Sequence, residues 1–177
     1  MSASLEAWMD YSAISGYSAI FAFSLYKLKD TFKNPIDLIG NVLFIVGLAA
    51  LIRFHYVKRT TGKNVENDMG QKNARLLAHF CIASFFVVTL IPASSATYRL
   101  YDNFGILGHL FLLYAVATGQ TQLIGVALLA CYFIGATYRK TQVSGFNMES
   151  LNLIGRILLL VYFVVESAVG LKALAKK

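Results

Sequence analysis

The chain has 177 residues, of which 57% are hydrophobic and 14% charged, and its net charge is +7. Long uncharged runs in so apolar a chain exclude a soluble globular domain. The basic residues cluster at the ends of apolar runs and form no stripe with aromatics, which argues against nucleic-acid binding. The composition predicts one all-α membrane domain over residues 1–177, a polytopic helical bundle of about five or six spans in contact with bilayer lipids.

The first two predicted helices cover residues 11–28 and 36–57. The first is dotted with serines and tyrosines, so it suits a span and would equally suit a helix buried among others or lying at the interface. The second follows Pro35, which fits the first turn of a helix, and its length of about 33 Å is enough to cross a bilayer. The polar stretch 58–75 is predicted as a solvated loop.

The third predicted helix, 76–100, contains Pro92 followed by small residues, which indicates a kink that could serve as a hinge. Two shorter apolar runs, 104–118 and 122–138, are joined by a polar turn. They are predicted as two tilted spans, with a re-entrant hairpin as the alternative. The last predicted helix is 151–171.

Two charges, Arg156 and Glu166, lie inside the last apolar run. A charge at membrane depth is costly and is usually turned toward protein or water. Ten residues separate the two by about 15 Å along a helix, so they cannot pair with each other. Aligning helices two and six on Gly40 and Gly155 matches residues by depth, and it predicts ion pairs of Arg53 with Glu166 and of Asp37 with Arg156.

Two other interpretations of these charges stay open. The arginines could snorkel to the interfaces while Glu166 hydrogen-bonds within its own helix. Glu166 could also belong to a proton or ion relay, which would need further titratable groups along a path.

His79 and His109 stand on different predicted helices, which is how haem is ligated within membranes. Their predicted depths differ by about 15 Å, which excludes a shared iron. A pigment held by one of them is the alternative, and no cofactor or metal is predicted beyond bound lipids.

Small residues within the apolar runs predict close helix packing. Gly105 and Gly108 lie just before His109, and Ala127, Cys131 and Gly135 are spaced by four residues. A short similarity between 38–43 and 153–158, with a third copy at 123–125, is either chance or a degenerate internal repeat.

The segment Ile154-Gly155-Arg156-Ile157-Leu158-Leu159, with the Phe163, Ser167-Ala168 and Leu171-Lys172 that follow, resembles the arginine-bearing helix of the DoxX and SURF4-like membrane proteins. The hairpin 104–138 is also similar to theirs. In that family the arginine helix commonly comes first, and here it comes last. The resemblance implies a small helical bundle acting as a redox-linked partner or a cargo receptor.

No nucleophile–base arrangement, HxxxH, CxxC, phosphate-cradling loop or catalytic carboxylate pair is present, so no enzyme is predicted. The leading hypothesis is a structural or accessory subunit of a larger membrane complex. An energy-transducing complex of the mitochondrial inner membrane is favoured over a location in the endoplasmic reticulum. The alternative is a small transporter, channel or cargo receptor in which Glu166, Arg53 and Arg156 line a cavity.

Overall fold

The computed structural model describes residues 3–61, 68–91, 95–120 and 122–176. Within these ranges the chain is helical and has no strand, which confirms the predicted all-α class. The helices are α1 (Ala3–Thr31), α2 (Pro35–Thr61), α3 (Met69–Leu90), α4 (Ala96–Thr118), α5 (Leu123–Tyr138) and α6 (Met148–Leu174). Four segments are long and apolar enough to cross a bilayer, namely α2, α3, residues Arg99–Thr118 of α4, and α6. The chain is therefore a membrane protein.

Several helices extend beyond their apolar runs. The predicted loop 58–75 is wrong at both ends, because α2 continues to Thr61 and α3 already begins at Met69. Polar side chains at a membrane interface are solvated without breaking the helix, so hydropathy alone underestimates helix length. The Asp68 side chain caps α3 by accepting a hydrogen bond from the Gly70 amide at 2.8 Å.

The predicted helix 76–100 is divided between α3, which ends at Leu90, and α4, which begins at Ala96. Pro92, the predicted hinge, lies outside the described residues. Gly119 ends the α4 region with a φ of 70°, a left-handed conformation that glycine adopts without strain.

The six helices form a closed ring. Each helix packs against its neighbours in the chain, and α6 closes the ring by packing against α1. The start of α1 and the end of α6 lie on one side, here called the terminal face, and the other side is the opposite face. Neighbouring helices alternate in direction. Because the ring is closed, the inner surfaces of all six helices surround one axis.

Three of the helix contacts share one arrangement of small residues. They pair Gly16 with Gly155, Gly47 with Ala78, and Gly108 with Gly125. A Cβ added to any of these glycines would lie 2.8–3.1 Å from the partner's backbone oxygen, so only small residues allow the approach.

In each of these contacts, a large aliphatic side chain four residues further along covers the partner's glycine. Ile20 covers Gly155, Ile82 covers Gly47, and Leu129 covers Gly108. The arrangement recurs at alternate helix contacts, so the ring has an approximate threefold repeat. The alignment of Gly40 with Gly155 expected from sequence is wrong, because Gly47 occupies the position equivalent to Gly155.

Two of the predicted packing residues lie elsewhere. Gly105 contacts Phe86 and Gly108 contacts α5, as expected, and Gly135 faces the Tyr101 ring. Ala127 and Cys131, in contrast, are exposed on the outer surface of α5. Positions four residues apart drift around a helix, so a run of three such positions does not keep to one contact.

Candidate functional site

The interior of the ring near the terminal face contains a buried aspartate–histidine pair. Asp10 of α1 and His55 of α2 are each 4% exposed, and Nδ1 of His55 lies 3.0 Å from a carboxylate oxygen of Asp10. Lys58 reaches the same oxygen at 3.4 Å. The His55 ring stacks on Tyr17 and meets Tyr162 edge-on. The pair thus connects α1, α2 and α6 around the axis.

Glu166 faces this interior. It lines a cavity of about 350 Å³, here called the terminal cavity, together with His55, Lys58 and Arg75. Glu166 interacts with the side chain of Tyr162, one turn earlier on α6. The carboxylate is therefore turned toward protein and a cavity, as its cost in lipid demands.

Arg75 of α3 also lies in the wall of the terminal cavity. Its guanidinium donates a hydrogen bond to the Gln122 side chain and lies 4.9 Å from the ring centroid of Phe54. A planar cation that both hydrogen-bonds and stacks keeps a fixed orientation. The wall of the terminal cavity thus combines one carboxylate with two cations, Arg75 and Lys58.

The two predicted ion pairs do not form. Arg53 is exposed on the outer surface of α2, while Glu166 lies inside the ring. Asp37 lies in the first turn of α2, and Arg156 instead donates hydrogen bonds to the side chains of Asn152 and Tyr132. One cause is the closing of the ring by α1, which lies between α2 and α6.

His79 and His109 meet in the interior. Their Nδ1 atoms are 3.0 Å apart, and the side chains are 2% and 4% exposed. The predicted separation of about 15 Å is wrong because α3 starts seven residues earlier than expected and α4 eight residues earlier. His79 thus lies ten residues inside α3 and His109 nine residues before the end of α4, at nearly equal depths.

The histidine contact limits what this pair can hold. The two Nδ1 atoms stand at hydrogen-bond distance from each other, closer than the separation of about 4 Å between two ligands on opposite sides of one iron at bonds of about 2 Å. The Nε2 atom of His79 is buried and has no hydrogen-bond partner in the described chain. Among the described residues no three His, Cys, Asp or Glu side chains gather to hold a metal ion.

An apolar layer crosses the axis below the histidines. Its members are fully or almost fully buried and come from α2, α3, α5 and α6: Leu48, Leu51, Ile82, Leu129 and Leu159. Around this layer the interior narrows to voids of about 10 and about 20 Å³, each with room for about one water molecule. Ile82 and Leu129 of this layer cover Gly47 and Gly108 of the threefold repeat, and Leu159 contacts Gly16.

On the other side of the apolar layer a second cavity opens toward the opposite face. This opposite cavity has a volume of about 500 Å³ and is lined by residues from all six helices. Arg156 and the fully buried Asn152 lie in its wall, where Asp102 also pairs with Arg139 at 3.7 Å. The ring therefore has a cavity with charged side chains in its wall at each end and an apolar layer between the two cavities.

Sequence reasoning identified Glu166 and Arg156 as charges turned away from lipid but missed Asp10, His55 and Arg75. Asp10 lies seven residues after the start of α1 and His55 six residues before the end of α2. The signal that could have identified the pair is the matched distance of the two titratable groups from the same face, on two helices that are antiparallel neighbours.

Comparisons with known proteins give no further guide, since no family model, curated protein or solved structure matches this chain. The resemblance to DoxX and SURF4-like proteins therefore stays a prediction.

Proposed function

We propose that the chain is a small transporter or channel that passes a solute along the axis of its six-helix ring. The observation that carries the proposal is the pair of cavities with charged side chains in their walls, about 350 and about 500 Å³, which enter the ring from its two faces. Glu166 lines one cavity and Arg156 lines the other. Charges within a membrane are expensive, and membrane proteins that keep them inside commonly use them along a substrate path.

The apolar layer fits the role of a closed gate. Apolar constrictions stop hydrated solutes because water is unstable in them, and small movements of the surrounding helices open them. The glycine contacts place the backbones of neighbouring helices against each other next to this layer. A sliding or tilting of these helices would change the width of the layer directly.

Water access to the opposite cavity is the first test. In a background with Cys81 and Cys131 changed to alanine, Asn41→Cys puts a thiol in the cavity wall, and Val42→Cys puts one on the outer surface at the same depth. Only a thiolate in water reacts with a membrane-impermeant methanethiosulfonate. We expect Asn41→Cys to react at least about tenfold faster, and equal rates would contradict a water-filled cavity.

Solute passage is the second test. Purified protein in liposomes is placed in gradients of sodium lactate, glycine or glycerol, and swelling is followed by light scattering. We expect swelling above that of empty liposomes for at least one solute, and a block when the Asn41→Cys thiol carries a bulky label. Swelling that the label leaves unchanged would contradict a path through the ring.

A role for Glu166 is tested in the same liposomes. Glu166→Gln removes the charge and keeps the shape, so we expect slower swelling with unchanged folding. Glu6→Gln, an exposed residue at the start of α1, is the matched control.

A second candidate function is an accessory subunit of a larger membrane complex, and Arg53 favours it. This arginine is exposed on the outer surface of a spanning helix and makes no ion pair within the described chain. An acidic side chain on a neighbouring subunit would compensate its charge. Such a complex in the mitochondrial inner membrane stays a prediction of the sequence.

Purification in mild detergent tests the second candidate. We expect a stoichiometric partner with the natural chain and its loss with Arg53→Gln, whereas Arg59→Gln, on the same helix near its end, should retain it. A stable lone monomer would contradict the accessory role.

A further inference from the structure

We infer that the opposite cavity is a binding site for an amphipathic organic anion, with the anionic group on Arg156 and the apolar part against phenylalanine rings. The inference rests on the proposed function, since it names the class of solute that the ring admits from the opposite face. Its volume of about 500 Å³ is in the range of cavities that hold small organic ligands.

Charge is the first argument. The lining contains four basic side chains, Lys27, Arg139, Lys140 and Arg156, and one carboxylate, Asp102. Three of the basic residues have acidic partners, because Lys27 pairs with Asp30, Arg139 with Asp102 and Lys140 with Glu149. Arg156 has no carboxylate within ion-pair distance in the described chain. Only the longer-range charge of Asp102, which already pairs with Arg139, acts on it.

The geometry of Arg156 is the second argument. Its Nε donates to the Asn152 side-chain oxygen at 3.2 Å, and its Nη1 donates to the Tyr132 hydroxyl at 3.5 Å. These neutral partners orient the guanidinium without neutralising it, and its Nη2 has no protein acceptor among the described residues. An anion can therefore accept charge-assisted hydrogen bonds from a donor that is already held in place.

Asn152 supplies an independent third argument. It is 1% exposed, lines the opposite cavity, and its amide nitrogen Nδ2 has no hydrogen-bond partner in the described chain. A buried amide donor without a partner is costly. A ligand that accepts hydrogen bonds from both the amide and the adjacent guanidinium would satisfy it.

The remaining wall is apolar and aromatic. Phe44 and Phe85 stack with ring centroids 4.3 Å apart, and Phe86 continues the surface toward Tyr132. Such a surface binds an alkyl or aryl group by excluding water. A small inorganic anion would leave it hydrated, so the cavity favours an anion attached to an apolar body.

Binding is tested with the whole chain in nanodiscs of phosphatidylcholine, by equilibrium dialysis of radiolabelled 3-phenylpropionate, with empty nanodiscs subtracted. The neutral 3-phenylpropanol and the cationic 3-phenylpropylammonium are the matched probes. We expect saturable binding of the anion alone and a loss of at least about tenfold in affinity with Arg156→Gln. Lys29→Gln, which changes a basic residue outside the cavity, should bind as the natural chain does.

The source of the anion is resolved by repeating the dialysis with phosphatidylglycerol in the nanodisc. Competition by this lipid would support the site and assign it to an anionic lipid headgroup, while unchanged binding would support it and assign it to a free organic anion. If Arg156→Gln fails to fold, Arg156→Lys keeps the charge without the planar fork, and we expect it to weaken binding.

Equal binding of the alcohol and the carboxylate, or full affinity without the Arg156 guanidinium, would overturn the inference. Anion binding without any solute-dependent swelling of liposomes would overturn the proposed function and leave this site standing. Swelling with no preference for the anion would overturn this inference and leave the proposed function standing.

Discussion

The two ends of the ring interior differ in the kind of charge that they hold. The half near the terminal face contains all three histidines of the chain, with Glu166 and Asp10 beside them. The half near the opposite face relies on arginine and on neutral amide and hydroxyl groups around it. The half near the terminal face therefore sets carboxylates beside its cations, Lys58 and Arg75, while the other half holds an arginine whose hydrogen-bond partners are neutral.

We expect the largest effect from removing part of the apolar layer that separates the two halves. Leu159→Ala truncates a fully buried side chain at the centre of the ring, which in well-packed cores costs about 2–5 kcal/mol. We expect a large drop in the midpoint of thermal unfolding in detergent, and leakier liposomes. Leu25→Ala, at an exposed position of α1, is the control and should change neither measurement. An unchanged midpoint for Leu159→Ala would show that the layer is not close-packed.

Widening a glycine contact should have the next largest effect. In Gly155→Ala the new Cβ would lie 2.8 Å from the Gly16 carbonyl oxygen and 3.0 Å from the Cβ of Ala19. Overpacking of this kind costs about 1–3 kcal/mol, because backbone atoms must move. Gly170→Ala is the matched control, since its closest neighbour is the flexible end of Leu123. Chemical unfolding in mixed micelles should separate the two variants, and equal stabilities would contradict a tight α1–α6 crossing.

Changes to the histidine pair test the half of the interior near the terminal face. His79→Phe leaves the Nδ1 atom of His109 without its buried partner, which costs at least about 1 kcal/mol. We expect the double variant with His109→Phe to lose less stability than the sum of the two single changes. A double-mutant cycle on unfolding free energies measures this coupling. Additive losses would mean that the two rings do not interact.

The smallest effect is expected at the arginine end. Tyr132→Phe removes a hydroxyl that accepts from Arg156 at 3.5 Å, the limit of hydrogen bonding. We expect a stability change of about 0.5 kcal/mol or less, and a modest loss of 3-phenylpropionate affinity. A tenfold loss of affinity would indicate that the Tyr132 hydroxyl contacts the anion itself.

The sequence predicts the helical class well, because runs without charge of about 20 residues have few other solutions in a membrane. It also predicts that Glu166 and Arg156 avoid lipid, which follows from the cost of a charge there. Both residues indeed line cavities. These results depend on local composition alone.

Which residues pair across the ring could not be predicted from the sequence, because the pairing depends on the relative depth of the helices. Taking Gly47 instead of Gly40 as the equivalent of Gly155 shifts α2 by seven residues, about 10 Å. With that shift Lys58, not Arg53, stands at the level of Glu166, and both line the terminal cavity. The same kind of error separated the histidines, since the true ends of α3 and α4 lie in polar sequence.

The closing contact between α1 and α6 also bears on biogenesis. The first and last helices of the chain must meet before the interior is sealed, so the ring cannot be completed until synthesis of α6 has finished. Until then the buried polar groups of the earlier helices, such as Asp10, His55 and His79, have no finished interior to occupy. A chain truncated before α6 should accordingly be a ready substrate for membrane quality control, with its polar groups exposed to lipid as the degradation signal.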